Sequence, residues 1–416
     1  MPVIAGVIGY TTNWLAIKLL FLPVSFHGIR FPGLERIVHL LPRKLQAIPG
    51  FAHGGIGWQG IIPSRAAKMG SIAVDKGIAK LGSPAEFYEE LEPKKIAELI
   101  LTESREDIRN LAVGIVQREH PRLWGDLPPA LREAVIDRAM ESLPEIVNEM
   151  TDDIGANIDQ LLDVKLMVIR QIEREPALAN KISQGIGDKE LNFVINSGFI
   201  FGFLLGIPQL AAFKALDQWW VIAVGGIIVG LATNWIALKF IFHPVNPHRF
   251  GPFNFQGMFM RRQPEVAETY ATVVAEDIVT LQQLGEELIY GPQSDRTRQM
   301  MENRLRPAVD RAVGSIAPMV RVAIGTREYD TIRDALATEA VEYTMQPFSH
   351  PEFNVEQSHR IQALLSERIM ELPPDDYAEL LRGAIKEDEW MLIALGAELG
   401  LVVGILQIAL LFGGLG

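Results

Sequence analysis

The chain has 416 residues and a mass of 46.2 kDa, with 22% charged residues, 48% hydrophobic residues and a mean hydropathy of +0.15. This length exceeds that of one ordinary domain, and the composition excludes a disordered chain and is too apolar for a plain soluble enzyme of this size. The sequence has no cysteine, which excludes disulfides, thiolate metal sites, iron–sulfur clusters and cysteine nucleophiles. The net charge of −12 excludes a generally basic nucleic-acid-binding protein.

Four mostly apolar stretches are long enough to cross a bilayer as helices, which requires about 20 residues. They are residues 2–22, 191–213, 219–242 and 390–412. The first differs from a secretory signal because it has no basic start, Lys18 interrupts it, and Pro23 stands where a small-residue cleavage site would be. We therefore predict four membrane-spanning helices.

The sequence contains an internal repeat. Residues 9–24 and 230–245 share nine identities at an offset of 221, beginning with Gly9 and Gly230. Shorter matches follow at offsets of 197 and 198: Gln59-Gly60 with Gln256-Gly257, Glu89-Glu90-Leu91 with Glu286-Glu287-Leu288, and Gly198, Gly202, Gly206 and Gln209 with Gly396, Gly400, Gly404 and Gln407. We predict a tandem duplication of residues 1–216 and 217–416, with about 24 extra residues in the first copy after Val24.

Each copy starts with one spanning helix and ends with another, so the copies are predicted to be parallel, related by a pseudo-twofold axis along the membrane normal. Basic residues near the membrane set the orientation. Residues 24–68 and 243–262 carry nine of them: Arg30, Arg36, Arg43, Lys44, Arg65, Lys68, Arg249, Arg261 and Arg262. On the other side, Lys214 is balanced by Asp217. We predict that the soluble segments are cytoplasmic and that both termini lie outside.

The soluble segments, residues 64–190 and 263–388, are predicted to be helical because their apolar residues follow helical spacing. Examples are Ile96, Leu99, Ile100, Ile108, Leu111 and Ile115. No run of strands is apparent, so the predicted fold class is all-α. Residues 24–63 and 243–262 are juxtamembrane stretches. Within the first, the basic and apolar residues 34–45 favour either an interfacial helix on the inner leaflet or an ordinary helix packed on the soluble part.

The repeated motif resembles a known family. The pattern Gly-x-x-Thr-Asn-Trp-x-Ala-x-Lys-x-x-Phe-x-Pro, then Gln59-Gly60-x-x-Pro63-x-Arg65, is similar to the bacterial membrane family called domain of unknown function 445, with its YheB- and YjiN-like proteins. Lys189-Glu190-Leu191 before the glycine-rich helix adds to the resemblance. The second copy departs from the pattern, with Met260 in place of the proline and Asp388-Glu389-Trp390 before its last helix. The resemblance implies an inner-membrane protein with long helical soluble parts and implies no activity.

Small residues recur every four positions in the spanning stretches, which predicts close helix packing. The glycines are Gly9, Gly198, Gly202, Gly206, Gly226, Gly230, Gly396, Gly400 and Gly404. We expect a tight four-helix unit in which equivalent helices of the two copies face each other across the pseudo-twofold axis. Whether the contacts are within one chain or between chains is left open.

Polar residues inside the apolar spans are the candidate sites. Thr12, Asn13, Thr233 and Asn234 must find hydrogen-bond partners there, either as contacts that join helices or as the lining of a polar site. Lys18 and Lys239 lie near the cytoplasmic ends, where they either extend toward anionic headgroups or act as a buried counter-charge for a substrate.

Glu398 lies within the last span, where the first copy has Ile200. A carboxylate at this position is a candidate functional group, because charge in a membrane is costly. It is either protonated, part of a proton path or paired with Lys18 or Lys239, or it is shallow and hydrated.

No catalytic pattern is present: the histidines lack the spacing of a helical metal site, and there is no phosphate loop or nucleophile motif. We predict no enzyme activity, no metal and no cofactor. The leading hypothesis is a membrane-anchored scaffold or lipid-interacting protein whose basic turns bind anionic headgroups, with a protein partner or a second copy as further partners and no nucleic acid. The alternative is a transporter or channel with a polar path through Asn13, Asn234 and Glu398.

Overall fold

The computed structural model describes residues 2–30, 55–75, 79–126, 128–250, 253–314, 318, 321–322, 325–343, 351–383, 386 and 389–412. The chain is mainly helical, as predicted, and the segment 34–45 lies outside the described residues. The helices are α1 (Pro2–Phe21), α2 (Ile61–Ser64), α3 (Ala66–Ala73), α4 (Ala79–Leu81), α5 (Pro84–Glu90), α6 (Pro93–Glu103), α7 (Arg105–Glu119), α8 (Pro121–Asp126), α9 (Pro129–Leu161), α10 (Val164–Arg174), α11 (Ala177–Leu216), α12 (Trp220–Phe242), α13 (Met258–Arg261), α14 (Gln263–Asp277), α15 (Leu281–Tyr290), α16 (Ser294–Val313), α17 (Thr326–Tyr343), α18 (Pro351–Glu371), α19 (Pro374–Gly383) and α20 (Glu389–Phe412).

Two short antiparallel hairpins accompany the helices and were not predicted. Strand β1 (His27–Arg30) pairs with β2 (Gly55–Trp58), and β3 (His248–Phe250) pairs with β4 (Phe253–Phe255). Each hairpin follows a spanning helix, after a cis peptide bond at Pro23 or Pro244. The hairpins occupy the juxtamembrane stretches and do not alter the all-α class.

Four helices, α1, α11, α12 and α20, are long and apolar enough to cross a membrane. Three of them match the predicted spans to within one residue or two at each end. Helix α11 is longer, because it begins at Ala177 and continues for 40 residues, about 60 Å at 1.5 Å per residue. Charged residues before Leu191 end the apolar stretch there but are good helix formers, so the helix itself extends beyond the apolar stretch.

The chain divides into two compact units that do not follow the predicted repeat boundary at residue 216. The first unit contains Met1–Lys80, Val168–Val273 and Ser366–Gly416, and therefore all four spanning helices. The second contains Leu81–Met167 and Val274–Leu365. Both units thus draw on both halves of the sequence, and every candidate site residue lies in the first unit.

The second unit is a helical body with its own apolar core. Helices α9, α15, α16 and α17 supply this core, which consists of Ile146, Met150, Ile289, Met301, Leu305, Ala308, Ala337 and Val341. Ion pairs at its surface, such as Arg304 with Asp153 and Arg311 with Glu149, join α16 to α9.

Glycine contacts pair the spanning helices within each half of the chain. A Cβ on Gly9 would overlap the carbonyl oxygen of Gly198, and one on Gly230 would overlap that of Gly396. Ala5 precedes Gly9 on α1, and it contacts Gly202, which follows Gly198 on α11. The two helices are therefore antiparallel. The expectation that equivalent helices of the two copies face each other through these glycines is therefore wrong: α1 packs on α11, and α12 packs on α20.

The remaining predicted packing glycines lie in the same two helix contacts, that of α1 with α11 and that of α12 with α20, which we call the glycine seams. Their neighbours are backbone atoms or a small side chain: a Cβ on Gly202 or Gly206 would meet Ala5, and those on Gly226, Gly400 and Gly404 would meet Gly400, Gly226 and Ala223. Without side chains at these positions, the backbones approach closely and gain van der Waals contact, which is the main source of helix association in lipid.

Candidate functional site

The two asparagines of the repeated motif make the same contact in each helix pair. Asn13 Nδ2 donates to the carbonyl oxygen of Val194 at 2.7 Å, joining α1 to α11. Asn234 Nδ2 donates to the carbonyl oxygen of Leu392 at 2.7 Å, joining α12 to α20. Both side chains are buried. The Nδ2 atoms of both residues therefore join two helices, which is one of the two alternatives considered for these residues.

The neighbouring threonines are bonded within their own helices. The Thr12 hydroxyl donates to the carbonyl oxygens of Ile8 and Gly9, and the Thr233 hydroxyl donates to that of Gly230. Because these hydroxyls are satisfied locally, neither is needed to join two helices, and neither presents its donor to a polar path.

Lys18 and Lys239 lie on the exposed surface of α1 and α12 and contact a tryptophan one turn earlier. The Lys18 Nζ is 4.3 Å from the centroid of the Trp14 ring, and the Lys239 Nζ is 5.9 Å from that of Trp235. The rings are 40% and 54% exposed, so both pairs face outward. Among the described residues neither ammonium group has an ion pair, which leaves its three hydrogen-bond donors available.

Glu398 is exposed on α20, as is the corresponding Ile200 on α11. The contacts of Gly396 with Gly230 and of Gly400 with Gly226 place Glu398 at the depth of residue 228 on α12. Lys239 is eleven residues further along α12, about 16 Å away along the axis. The depths therefore do not match, and pairing of Glu398 with Lys239 is excluded by geometry.

Glu398 is also separate from the asparagines. Its carboxylate makes no hydrogen bond or ion pair within the part of the chain described here. It lies on the outward face of α20, whereas Asn234 is buried against Leu392. The structure thus does not bring the candidate polar residues together into one path.

The turns after the first and third spanning helices are built alike. Gln59 Nε2 donates to the carbonyl oxygen of Val24, and Gln256 Nε2 donates to that of Val245. The next backbone amide in each case, that of Gly60 or Gly257, donates to the proline carbonyl at 2.9 Å. These bonds hold the chain against the helix end, where a Cβ on either glycine would meet backbone atoms.

A cluster of four charges joins α11 to α14 just beyond the apolar spans. Glu190 is 1% exposed, and its Oε2 accepts a hydrogen bond of 2.5 Å from Arg262 Nη1. Arg262 also binds Glu265, which pairs with Lys189 at 2.7 Å. Hydrogen bonds from Arg262 and then from Lys189 lower the pKa of Glu265 from 4.5 to about 2. With two acids and two bases, the cluster has no net charge.

A second polar group lies at the end of α12. Arg382 makes a bidentate ion pair with Glu389, at 2.6 and 2.8 Å, and its Nη1 is 3.2 Å from His243 Nε2. The arginine can only donate, so Nε2 must accept and the ring is neutral. Burial, followed by the charges of Arg382 and Lys239, lowers the pKa of His243.

A cavity of about 120 Å³ lies among the spanning helices. Each of the four spanning helices lines it, together with Ile61, Ile62, Met69 and Phe259. Its polar lining residues are Ser183, Glu190 and Asn234, and most of the remaining wall is aliphatic or aromatic. Among the described residues, no group of three or more histidine or acidic side chains is placed to hold a metal ion.

The sequence reasoning did not single out Glu190, Arg262 or the cavity as functional. One signal was available: Arg262 repeats Arg65 at the same offset as the Gln-Gly pair, and Glu190 directly precedes an apolar span. An acid at a membrane boundary and a basic residue at a repeated position predict a partner for each other. Comparison of the chain with protein-family profiles, curated proteins and solved structures gives no match.

Proposed function

We propose that this chain is a bacterial inner-membrane protein that crosses the bilayer four times and binds anionic lipid headgroups at the cytoplasmic boundary. The observation that carries the proposal is the pair of exposed Trp–Lys contacts, Trp14 with Lys18 and Trp235 with Lys239, at equivalent positions of α1 and α12. Tryptophan rings favour the membrane interface, and a lysine beside one places its ammonium group at headgroup depth.

The energetics favour a headgroup as the partner of these lysines. A basic residue near an anionic leaflet contributes about 1 kcal/mol of attraction. A cation–π contact at an exposed site contributes about 0.5–1 kcal/mol and uses none of the ammonium hydrogens. The tryptophan can therefore orient the lysine while the lysine binds a phosphate oxygen.

The proposed topology places both soluble segments in the cytoplasm and both termini outside, with the second unit as a scaffold for a protein partner or a second copy. Antiparallel pairing of α1 with α11 and of α12 with α20 supports two crossings in each half. The matching bonds of Asn13 and Asn234 support a tandem duplication. Membership of the family that the motifs resemble is proposed from those motifs alone.

The transporter alternative requires a polar path that includes Glu398. No contact among the described residues favours it, because Glu398 is exposed on the outer face of α20 and both asparagines are engaged between helices.

The test is lipid analysis of the full-length protein extracted directly into native nanodiscs. We expect enrichment of an anionic lipid class over bulk membrane, and a decrease of about fivefold in affinity for each lysine removed in Lys18→Ala and Lys239→Ala, from about 1 kcal/mol per charge. Lys214→Ala is the matched control, because Lys214 is an exposed lysine in the last turn of α11, at the end away from the proposed cytoplasmic boundary. A bulk-like lipid profile, or equal effects of all three substitutions, would contradict the proposal.

A further inference from the structure

The cavity among the spanning helices has the size and walls of a small-molecule site. Its volume of about 120 Å³ approaches that of an apolar protein cavity of about 150 Å³ that binds benzene. Asn234 and Phe242, which both line it, are eight residues apart on α12, about 12 Å along the axis. The space therefore suits an elongated apolar group several methylenes long.

Two buried hydrogen-bond acceptors on the cavity wall have no donor. Glu190 Oε1 and Asn234 Oδ1 are both buried and unpartnered among the described residues. The residues themselves are 1% and 5% exposed. Their other polar atoms are engaged, Glu190 Oε2 with Arg262 and Asn234 Nδ2 with Leu392, so the orientation of each group is set. An unpaired buried acceptor is costly, and a bound donor removes that cost.

The charge balance of the site indicates which donor it prefers. Glu190 and Arg262 neutralise each other, and Lys189 neutralises Glu265. A cationic head would add an uncompensated charge beside this balanced cluster, and an anionic head would place two carboxylates together. A neutral hydroxyl supplies a donor without changing the charge.

We propose that this cavity binds a neutral single-chain alcohol, with its aliphatic chain among the apolar side chains and its hydroxyl donating to Glu190 Oε1. Glu190 is the preferred acceptor because hydrogen bonds to a charged oxygen are stronger than those to an amide. The site is independent of the lysines that are proposed to bind anionic headgroups.

The test uses two isomers with the same formula, 1-hexanol and methyl pentyl ether, of which only the alcohol donates. Full-length protein in nanodiscs is observed by ¹⁹F NMR with a trifluoromethyl-ended hexanol as the probe. We expect hexanol to displace the bound probe at a concentration about tenfold lower than the ether, because one hydrogen bond distinguishes them. Equal displacement by the two isomers would overturn the proposal, since ordered water would then satisfy the acceptors.

Two glycines of α11 provide matched substitutions that test the location. A Cβ on Gly187, which lines the cavity, would be 3.6 Å from Phe259 and 3.8 Å from Leu191, an ordinary contact. Gly187→Leu therefore extends into the cavity and is expected to abolish the bound signal. A Cβ on the exposed Gly185 would meet Thr269 at 3.5 Å outside the cavity. Gly185→Leu is expected to retain the signal, and the opposite pattern would refute the assignment.

Glu190→Gln tests the role of the carboxylate through a change in preference. The amide oxygen of the new side chain would face Arg262, which only donates, so its NH₂ group would face the cavity. Because the hexanol hydroxyl and the ether oxygen can both accept from that NH₂ group, the variant is expected to lose the preference for the alcohol. An unchanged preference for the alcohol would exclude Glu190 as the acceptor, and the Gly187 comparison still tests the site if this variant does not fold.

The same samples separate this site from headgroup binding. Gly187→Leu is expected to leave the anionic lipid enrichment unchanged, and the Lys18→Ala and Lys239→Ala variants are expected to retain the ¹⁹F signal. Loss of the signal in the lysine variants would show that the probe binds at the surface and would overturn the cavity assignment.

Discussion

Asn13 and Val194 join the first two spanning helices through an amide-to-carbonyl hydrogen bond of 2.7 Å. The carbonyl oxygen of Val194 also accepts from the Ser197 hydroxyl at 3.0 Å, so it keeps a partner if Asn13 is removed. The bond therefore contributes to helix association without leaving a buried acceptor dependent on it.

Removal of this bond is expected to weaken the helix pair moderately. Asn13→Ala should lower the free energy of unfolding by about 1 kcal/mol, in the range of hydrogen bonds between membrane helices. Asn234→Ala should cost a similar amount, because it removes the equivalent bond to Leu392. Thermal unfolding in nanodiscs measures both effects.

Thr11→Ala is the control for the asparagine variants. The Thr11 hydroxyl is exposed and donates to Val7 on its own helix, so its loss should change stability by less than about 0.5 kcal/mol. If both asparagine variants unfold like this control, their bonds do not stabilise the helix pairs.

The stability of the glycine seams between spanning helices is expected to decrease when a side chain is added. In Gly198→Ala the new methyl group would overlap the carbonyl oxygen of Gly9 and lie 2.7 Å from Asn13 Nδ2. Since both neighbours belong to the packed helix pair, the helices must separate, and we expect a loss of about 1–3 kcal/mol in unfolding free energy.

Gly114→Ala is the matched substitution in a helix of the second unit. Apart from the backbone of its own helix, no heavy atom of the described residues lies within 4 Å of a Cβ at Gly114, so only helix propensity changes and stability should rise by up to about 1 kcal/mol. A loss at Gly114 equal to that at Gly198 would mean that the effect arises within the helix and not from its partner.

The sequence predicted the spanning helices more closely than their partners. Apolar length alone gives the ends of α1 and α12 to within one residue, because the length of a membrane-spanning helix can be read from its own segment of the sequence. The small residues at Gly9 and Gly198 predict that some backbone approaches closely. These small residues do not specify which helix is the partner, because each of the other three spanning helices has the same spacing of small residues.

The pairing of β1 with β2 and the cavity depend on contacts that are distant in sequence, whereas β3 and β4 are separated by only two residues. His27 pairs with Trp58, and residues 31–54 separate the two strands, so alternation over four residues gave too little to identify a strand. The cavity exists because side chains from four helices leave a gap. Helical periodicity predicts which face is buried and does not predict how completely it is filled.

We expect His243 to make the second half of the chain sensitive to pH, whereas Leu22 stands at the aligned position of the first half. The ring is half-buried beside Arg382 and Lys239, which together with burial lower its pKa below the ordinary 6.5, and Glu389 acts in the opposite direction. A lowered pKa means that folding favours the neutral ring. Its contribution to stability is therefore present above pH 6.5 and is lost as the pH falls through the lower pKa of the folded state.

His243→Gln is expected to reduce the dependence of stability on pH below pH 6.5. The amide oxygen of the variant can accept from Arg382 at any pH, so the unfolding temperature should no longer decrease below pH 6.5 because of this site. Unfolding temperatures measured in nanodiscs between pH 8 and pH 5 provide the comparison. His359→Gln is the control, because His359 is exposed on α18 and, within the described residues, bonds only to Gln362 one turn later. An identical decrease in wild type and His243→Gln would show that protonation of this ring does not compete with the Arg382–Glu389 ion pair.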